Sequence, residues 1–175
     1  MTPSAAVTLN KTNAARLLDD LGLSYELVGF TVNESDLTAE TAAKLLGLPE
    51  KMVYKTILLK GDRSGYLEAC LPAGQELDLK SLAYASGNRS VTLVPVGQLF
   101  NLTGYRRGGC SPLAGKKKYQ VYIDNKVLEL DRMAINAGAK GVMLLLAPKD
   151  LILAAGAIPA AITRPAKNPY CQPQS

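Results

Sequence analysis

The run Val53-Tyr54-Lys55-Thr56-Ile57-Leu58-Leu59 is apolar on both faces of any strand it forms. Side chains alternate along a strand, so Val53, Lys55, Ile57 and Leu59 share one face, and Tyr54, Thr56 and Leu58 the other. The predicted strand covers Met52 to Lys60, turns through Gly61-Asp62-Arg63-Ser64-Gly65, and returns as Tyr66 to Leu71 in a hairpin. With both faces largely buried, Lys55 is a cation in an apolar neighbourhood. Such a group snorkels to water, pairs with an acid, or meets an anionic ligand. Snorkelling near a strand end is the commoner solution. The functional one is a cation at a pocket mouth, facing a phosphate or a polarised carbonyl.

Around this hairpin the pattern mixes short helices and short strands. Asn10 to Leu21 reads as a helix with Ala14, Leu17, Leu18 and Leu21 on one face, Thr12 or Asn13 as N-cap, and Gly22 as its stop. Leu23 to Phe30 reads as a strand. Thr38 caps a helix with Ala42, Leu45 and Leu46 inward, closed by Gly47 and Pro49. Asp78 caps another, with Leu79, Leu82 and Ala83 apolar and Gly87 after it. Val91 to Val94 is a short strand, and Pro95 to Leu102 a short helix. Tyr119 to Asp124 and Lys126 to Leu130 read as strands about a turn at Asn125, and Gly141 to Leu146 as a buried strand. A last helix opens at Pro148-Lys149-Asp150, and Ala160 to Thr163 reads as an edge strand. The fold class is therefore α+β, with a mixed sheet rather than a doubly wound parallel one.

At 175 residues the chain fits a single domain, taken as 10–164, with a flexible start over 1–9 and a proline-broken, disordered tail over 165–175. A hydrophobic fraction of 47% suits a soluble globular protein, and no apolar run is long enough to span a membrane. A cytoplasmic location is the default expectation. The net charge of +5 suits a polyanionic partner without demanding one. Cys70, Cys110 and Cys171 are odd in number and widely spaced, which argues against a disulfide framework or a CxxC metal site. The chain has no histidine, which excludes a Ser-His-Asp triad, a Cys-His dyad and any His-ligated zinc. No metal or other cofactor is implied.

The second informative stretch is Thr103-Gly104-Tyr105-Arg106-Arg107-Gly108-Gly109-Cys110-Ser111-Pro112-Leu113. Its glycines let the backbone turn and approach a ligand, and successive free N–H groups can cradle an anion or a developing oxyanion. Arg106 and Arg107 add fixed positive charge suited to phosphate. Local composition alone fits an ordinary surface turn equally well.

Taken in order, Val53-Tyr54-Lys55-Thr56 and Gly108-Gly109-Cys110-Ser111-Pro112-Leu113 resemble the YbaK-type aminoacyl-tRNA deacylases, which are similar to the editing domain inserted in bacterial prolyl-tRNA synthetases. The resemblance runs from about Asn10 to Ile162 and includes Ala147-Pro148-Lys149-Asp150-Leu151. It implies a mixed, partly closed sheet surrounded by helices. It implies hydrolysis of the ester joining a wrong amino acid to tRNA by a free-standing editing factor, with Cys-tRNA(Pro) as the leading substrate. Lys55 matches the functional lysine, Gly108 and Gly109 the loop bordering the aminoacyl group, and Asp150 an acidic position tied to the site. Phe30 falls where relatives often place a tyrosine. Cys110 replaces an aliphatic residue and reads as packing rather than a nucleophile.

The same resemblance implies a mechanism that uses no histidine: the thiol of the bound cysteine attacks its own ester carbonyl, and a held intramolecular group has a very large effective molarity. Lys55 then positions the tRNA end, and the loop N–H groups stabilise the oxyanion. Phe30, Ser111, Pro112 and Asp150 are candidate substrate contacts. Ser111 reads at least as well as a hydroxyl bonded to its own backbone, and Asp150 as an acid favoured by a helix N-terminus. Arg106, Arg107, Lys116, Lys117 and Lys118 are candidate tRNA contacts, although a solvated face is the usual meaning of a lysine run. The resemblance implies aminoacyl-tRNA as the partner and leaves open whether the tRNA is selected directly or through prolyl-tRNA synthetase. The competing readings are a deacylase for another residue, such as Ala or Ser, and a non-catalytic aminoacyl-tRNA-binding regulatory module.

Overall fold

The computed structural model describes residues 9–166. The expected loose ends, 1–9 and 165–175, lie outside it except for Leu9, Pro165 and Ala166. In chain order the elements are α1 (Asn13–Asp20), β1 (Glu26–Gly29), α2 (Ala39–Leu46), β2 (Val53–Gly61), β3 (Gly65–Pro72), β4 (Gln75–Leu77), α3 (Leu79–Ser86), β5 (Val91–Leu93), α4 (Val96–Thr103), β6 (Gln120–Asp124), β7 (Met133–Ala139), β8 (Val142–Leu146), α5 (Pro148–Ala155), β9 (Ile158–Ala160) and β10 (Thr163–Pro165). The class is α+β, built on a large mixed sheet. Among the described residues no helix is long and apolar enough to cross a membrane.

The sheet runs β1-β8-β7-β2-β3-β6-β9, and β5 pairs separately with β2; β10 and β4 form a small second sheet. The hairpin β2–β3 is its spine, in antiparallel register from Tyr54↔Pro72 to Gly61↔Gly65. The pairs β2–β7, β3–β6 and β6–β9 are parallel. Helix ends follow local chemistry. Thr12, Thr38 and Asp78 accept N–H groups of the first turns of α1, α2 and α3, and Gly47 and Gly87 close α2 and α3 in left-handed conformation.

Tyr54, Cys70, Ile123, Ile135, Leu144 and Leu151 bury on one side of the sheet with α1 and α5. Leu59, Leu67, Ala69 and Leu82 form a second cluster with α3, and Val53, Ala134, Met143 and α2 a third. Layers therefore cover the hairpin from both sides, as its doubly apolar pattern requires.

Several boundaries differ from the sequence reading. Lys126 to Leu130 is not a strand: Asp124 Oδ1 accepts the Lys126 N–H at 3.0 Å, which winds Asn125–Glu129 into a 3₁₀ turn. The strand β7 falls outside the predicted elements. In α2 the inward residues are Ala42 and Ala43, while Leu45 is exposed; Leu79 and Leu21 are exposed as well. The expected edge strand divides in two, with β9 joining β6 and β10 joining β4. Pro165 therefore ends a strand instead of beginning a disordered tail.

Candidate active site

Strand β2 positions the site because its outer edge is incompletely paired. Val53 O accepts from Ala73 N on the β3 side, and Leu58 O accepts from Val94 N on the opposite side. Backbone groups alternate along a strand, so even-numbered residues turn theirs away from β3. On that outer edge β7 covers Val53 and Tyr54, and β5 covers Leu59 to Gly61. Thr56 lies between them, with its N–H and C=O facing the gap. The gap opens into a cavity of about 550 Å³.

The cavity is walled by apolar side chains, among them Phe30, Leu37, Ile57, Leu93, Val96, Leu99, Cys110 and Met143. Its polar groups are few: Asp36, Thr38, Glu40, Lys55, Thr56, Arg107 and Asn136. Such a lining holds a small organic group by burial and orients it with a handful of charges and hydrogen bonds.

Lys55 reaches this cavity from the face it shares with Val53 and Ile57. Its Nζ lies 3.8 Å from Glu40 Oε1, with both side chains about one-third exposed (32% and 39%). Glu40 sits in the first turn of α2, and its Oε1 also accepts the Gly74 N–H at 2.8 Å. Burial works to raise the Glu40 carboxyl, but the Gly74 hydrogen bond and the Lys55 charge outweigh it and hold it below the ordinary range. Asp36 is held low by the hydroxyls of Thr41 and Thr38 and the N–H of Thr38. The cavity thus carries two carboxylates and, in Lys55 and Arg107, two cations.

The glycine-rich loop forms the other wall, and its two glycines differ. Gly108 lines the cavity at φ +83°. Its C=O accepts from Asn136 Nδ2 at 3.0 Å, which ties the loop to β7. Gly109 does not line the cavity. Its N–H is spent on Arg106 O at 2.9 Å, and its α-carbon packs so close to Ala139 and Lys140 that a Cβ would lie 3.1 Å from Lys140 N. The N–H groups of Gly108 and Cys110 have no hydrogen-bond partner among the described residues, so Cys110 rather than Gly109 supplies the second available amide.

The other candidates separate by location. Phe30 and Arg107 line the cavity, whereas Ser111, Pro112, Asp150, Arg106, Lys116, Lys117 and Lys118 do not. Ser111 is buried and its Oγ accepts the Leu113 N–H at 3.2 Å, the local turn bond. Pro112 follows within the same turn. Asp150 sits in the first turn of α5, beyond Leu146; Gly141 and Met143, which do line the cavity, lie toward the other end of β8. Arg106 stacks over the Phe100 ring at 4.3 Å, and Lys116 to Lys118 are exposed on the segment that follows. Burial, and secondarily the charge of Glu68, pushes the Cys110 thiol up to about 12, so it stays protonated and is not a nucleophile at neutral pH. Among the described residues no three His, Cys, Asp or Glu side chains cluster as a metal site would need.

Sequence reasoning missed Asp36, Glu40, Asn136 and the Thr56 backbone. Glu40 was readable as an acid in a helix first turn, but nothing local marks it as a neighbour of Lys55. Gly108 is constrained by its backbone and by its neighbour: a side chain at this φ is strained by roughly 1–2 kcal/mol, and its Cβ would press on Leu37 at 3.2 Å. Gly108→Ala is expected to lower the melting temperature by a few degrees and to narrow the cavity; calorimetry and ligand titration on one sample check both.

Fold and cavity together define a class: an α+β domain with a small, mostly apolar cavity between a lysine-bearing strand and a glycine turn. Residues 34–153 match the family model for the aminoacyl-tRNA editing domain, and the chain belongs to that family. It is 37% identical over 145 residues to an Enterococcus faecalis protein, EbsC, provisionally named a Cys-tRNA(Pro)/Cys-tRNA(Cys) deacylase, covering 83% of this chain and 88% of that one. It is 28% identical over 109 residues to the proline–tRNA ligase of Staphylococcus aureus (strain Newman), covering 62% of this chain but 19% of the ligase. Among solved structures, one described as a candidate trans-editing enzyme for prolyl-tRNA synthetase superposes with a TM-score of 0.73 at 21% identity, over 90% of this chain and 99% of that one. The protein APE2540 superposes with a TM-score of 0.77 at 25% identity, over 85% and 97%.

Proposed function

We propose that the protein is a free-standing editing hydrolase that cleaves the ester of mischarged aminoacyl-tRNA, with Cys-tRNA(Pro) as its leading substrate. The observation that carries the reading is that Lys55 and Gly108, far apart in sequence, line one apolar cavity in a chain of the editing family.

The polar groups suit the parts of such a substrate. Asp36 and Glu40 offer carboxylates to the α-ammonium of the aminoacyl group. The N–H groups of Gly108 and Cys110 offer donors to the ester carbonyl as it gains charge. Lys55 holds the phosphate or ribose of the tRNA end, a positioning role. The nucleophile comes from the substrate: the cysteinyl thiol gives up its proton and attacks its own carbonyl carbon. The C–O bond to the ribose breaks, and the ribose oxygen leaves and takes a proton. Water then opens the resulting thiolactone to free cysteine. The proline–tRNA ligase relative supports prolyl-tRNA synthetase as a partner that delivers the tRNA, and the assay below is run with and without it.

The test is a deacylation assay on Cys-, Ala-, Ser- and Pro-tRNA(Pro). Cys-tRNA(Pro) is expected to be cleaved fastest and Pro-tRNA(Pro) spared. Spontaneous rates for every substrate would overturn the reading. Salt dependence tests the basic residues. If Arg107 and the exposed Arg106, Lys116, Lys117 and Lys118 track the backbone, raising salt from about 50 to about 200 mM weakens binding by roughly two orders of magnitude. A flat response assigns the lysines to a solvated face.

A further inference from the structure

The peptide between Gly108 and Gly109 is held on both sides. Its C=O accepts from Asn136 Nδ2 at 3.0 Å, and its N–H donates to Arg106 O at 2.9 Å. With Gly108 third in the turn at φ +83°, residues 106–109 follow the type II pattern. The two unpartnered amides, those of Gly108 and Cys110, belong to the peptides before and after it. A peptide unit is planar, so fixing the middle one restricts where both N–H groups point.

Asn136 is itself locked. β7 bulges at this position: its register on β8 jumps from Asn136↔Met143 to Ala139↔Val142. Such a bulge re-aims a side chain beside a site. Gly138, inside the bulge at φ +95°, donates its N–H to Asn136 Oδ1 at 2.7 Å. The amide oxygen is thereby engaged, and the NH2 is left for Gly108 O. Flipping the side chain would set two oxygens face to face at Gly108 and two donors face to face at Gly138. The loop braces the bulge in return, since a Cβ on Gly138 would lie 2.8 Å from Cε1 of the Tyr105 ring.

We propose that Asn136 is a positioning residue for ester cleavage: through the Gly108 carbonyl it aims the free amides of Gly108 and Cys110 at the substrate carbonyl. The proposal rests on the editing reading and adds to it the source of the loop's alignment. Donors fixed before the substrate arrives need no reorganisation as charge develops, which is where such a site gains over water.

The test is Asn136→Asp, with Asn136→Ala beside it. Asp keeps the size and the acceptor for Gly138 but sets a carboxylate oxygen against Gly108 O; Ala removes both bonds. Each variant is expected to lower kcat for Cys-tRNA(Pro) roughly a hundredfold while KM stays within about threefold of wild type. In the free proteins, amide NMR is expected to show the Gly108, Gly109 and Cys110 signals displaced. The Gly109 amide, freed as its turn opens, should exchange with solvent roughly tenfold faster, while the amides of β2 and β3 keep their wild-type positions. The proposal is overturned if both variants keep wild-type loop amides, or if those amides move while kcat does not. It is equally overturned if KM rises with kcat unchanged, which would make Asn136 a direct substrate contact. Displacement of the β2 and β3 amides as large as the loop's also overturns it, since the loss would then be one of folding. Wild-type cleavage with unmoved loop amides in the variants removes the alignment alone. Spontaneous rates with wild type remove the editing reading alone, and displaced loop amides then still uphold the alignment.

Discussion

Lys55→Ala is expected to lower kcat/KM for Cys-tRNA(Pro) deacylation by roughly two to three orders of magnitude while leaving the fold in place. The energetic reason is the difference between what the lysine does for the apo protein and what it does for the substrate. In the free protein Nζ is 3.8 Å from a carboxylate that is partly exposed and already bonded to Gly74 N–H. A pair of that length and exposure is worth about 1 kcal/mol or less, and Glu40 keeps its backbone partner when the lysine goes. Against a phosphate or ribose at the mouth of an apolar cavity, the same ammonium makes a charge-assisted contact with little water to compete. Lys55→Met separates stem from charge: it preserves apolar contact along β2 and is expected to be as inactive as the alanine variant. Wild-type-like deacylation by either well-folded variant would remove Lys55 from the mechanism.

The placement of Lys55 was legible in the sequence because a run this apolar reads as a strand, and alternation along it puts Lys55 on the face of Val53, Ile57 and Leu59. The same logic exposed the hairpin and the helix caps at Thr12, Thr38 and Asp78. It failed at β7, whose Met-Ala-Ile-Asn-Ala-Gly-Ala run has small residues on both faces and no alternation to detect. It failed again at Asn125–Glu129, where the side chain of Asp124 redirects a segment whose apolar residues otherwise suggest a strand. Those two segments matter for the site. Asn136 on β7 holds the glycine loop, and the partial pairing of β7 with β2 leaves the gap at Thr56. The loop's chemistry was half visible: a Gly-Gly step signals close approach, but only packing distinguishes Gly108, beside the cavity, from Gly109, against the β7–β8 backbone. Asp150 illustrates the converse. Its acidic first-turn position has a sufficient local explanation, and it lies away from the cavity lining.

Glu68→Gln is expected to stabilise the protein at pH 8 and to have little effect near pH 4.5. Glu68 lies on β3 opposite Leu58, is 5% exposed, and has no hydrogen bond among the described residues. Burial pushes its carboxyl from the ordinary 4.5 up to about 7. The raised folded value means that the native state binds the proton more tightly than the unfolded chain. Its favourable contribution is therefore present below the ordinary value, declines as pH climbs between the two values, and is gone above about 7, where a buried carboxylate must be tolerated. Integrated over that window the loss is about 3 kcal/mol, which corresponds to a melting-temperature deficit of roughly 5–10 °C for a domain of this size. Glutamine keeps the shape and polarity but cannot ionise, so the variant's melting temperature should hold where the wild type's falls. The charge of Glu68 also helps hold the Cys110 thiol high on the cavity wall. Cys110 should accordingly react faster with a thiol reagent in the variant at alkaline pH. Parallel melting curves for the two proteins from pH 4.5 to 8 would mean that water or local rearrangement solvates the carboxylate in solution.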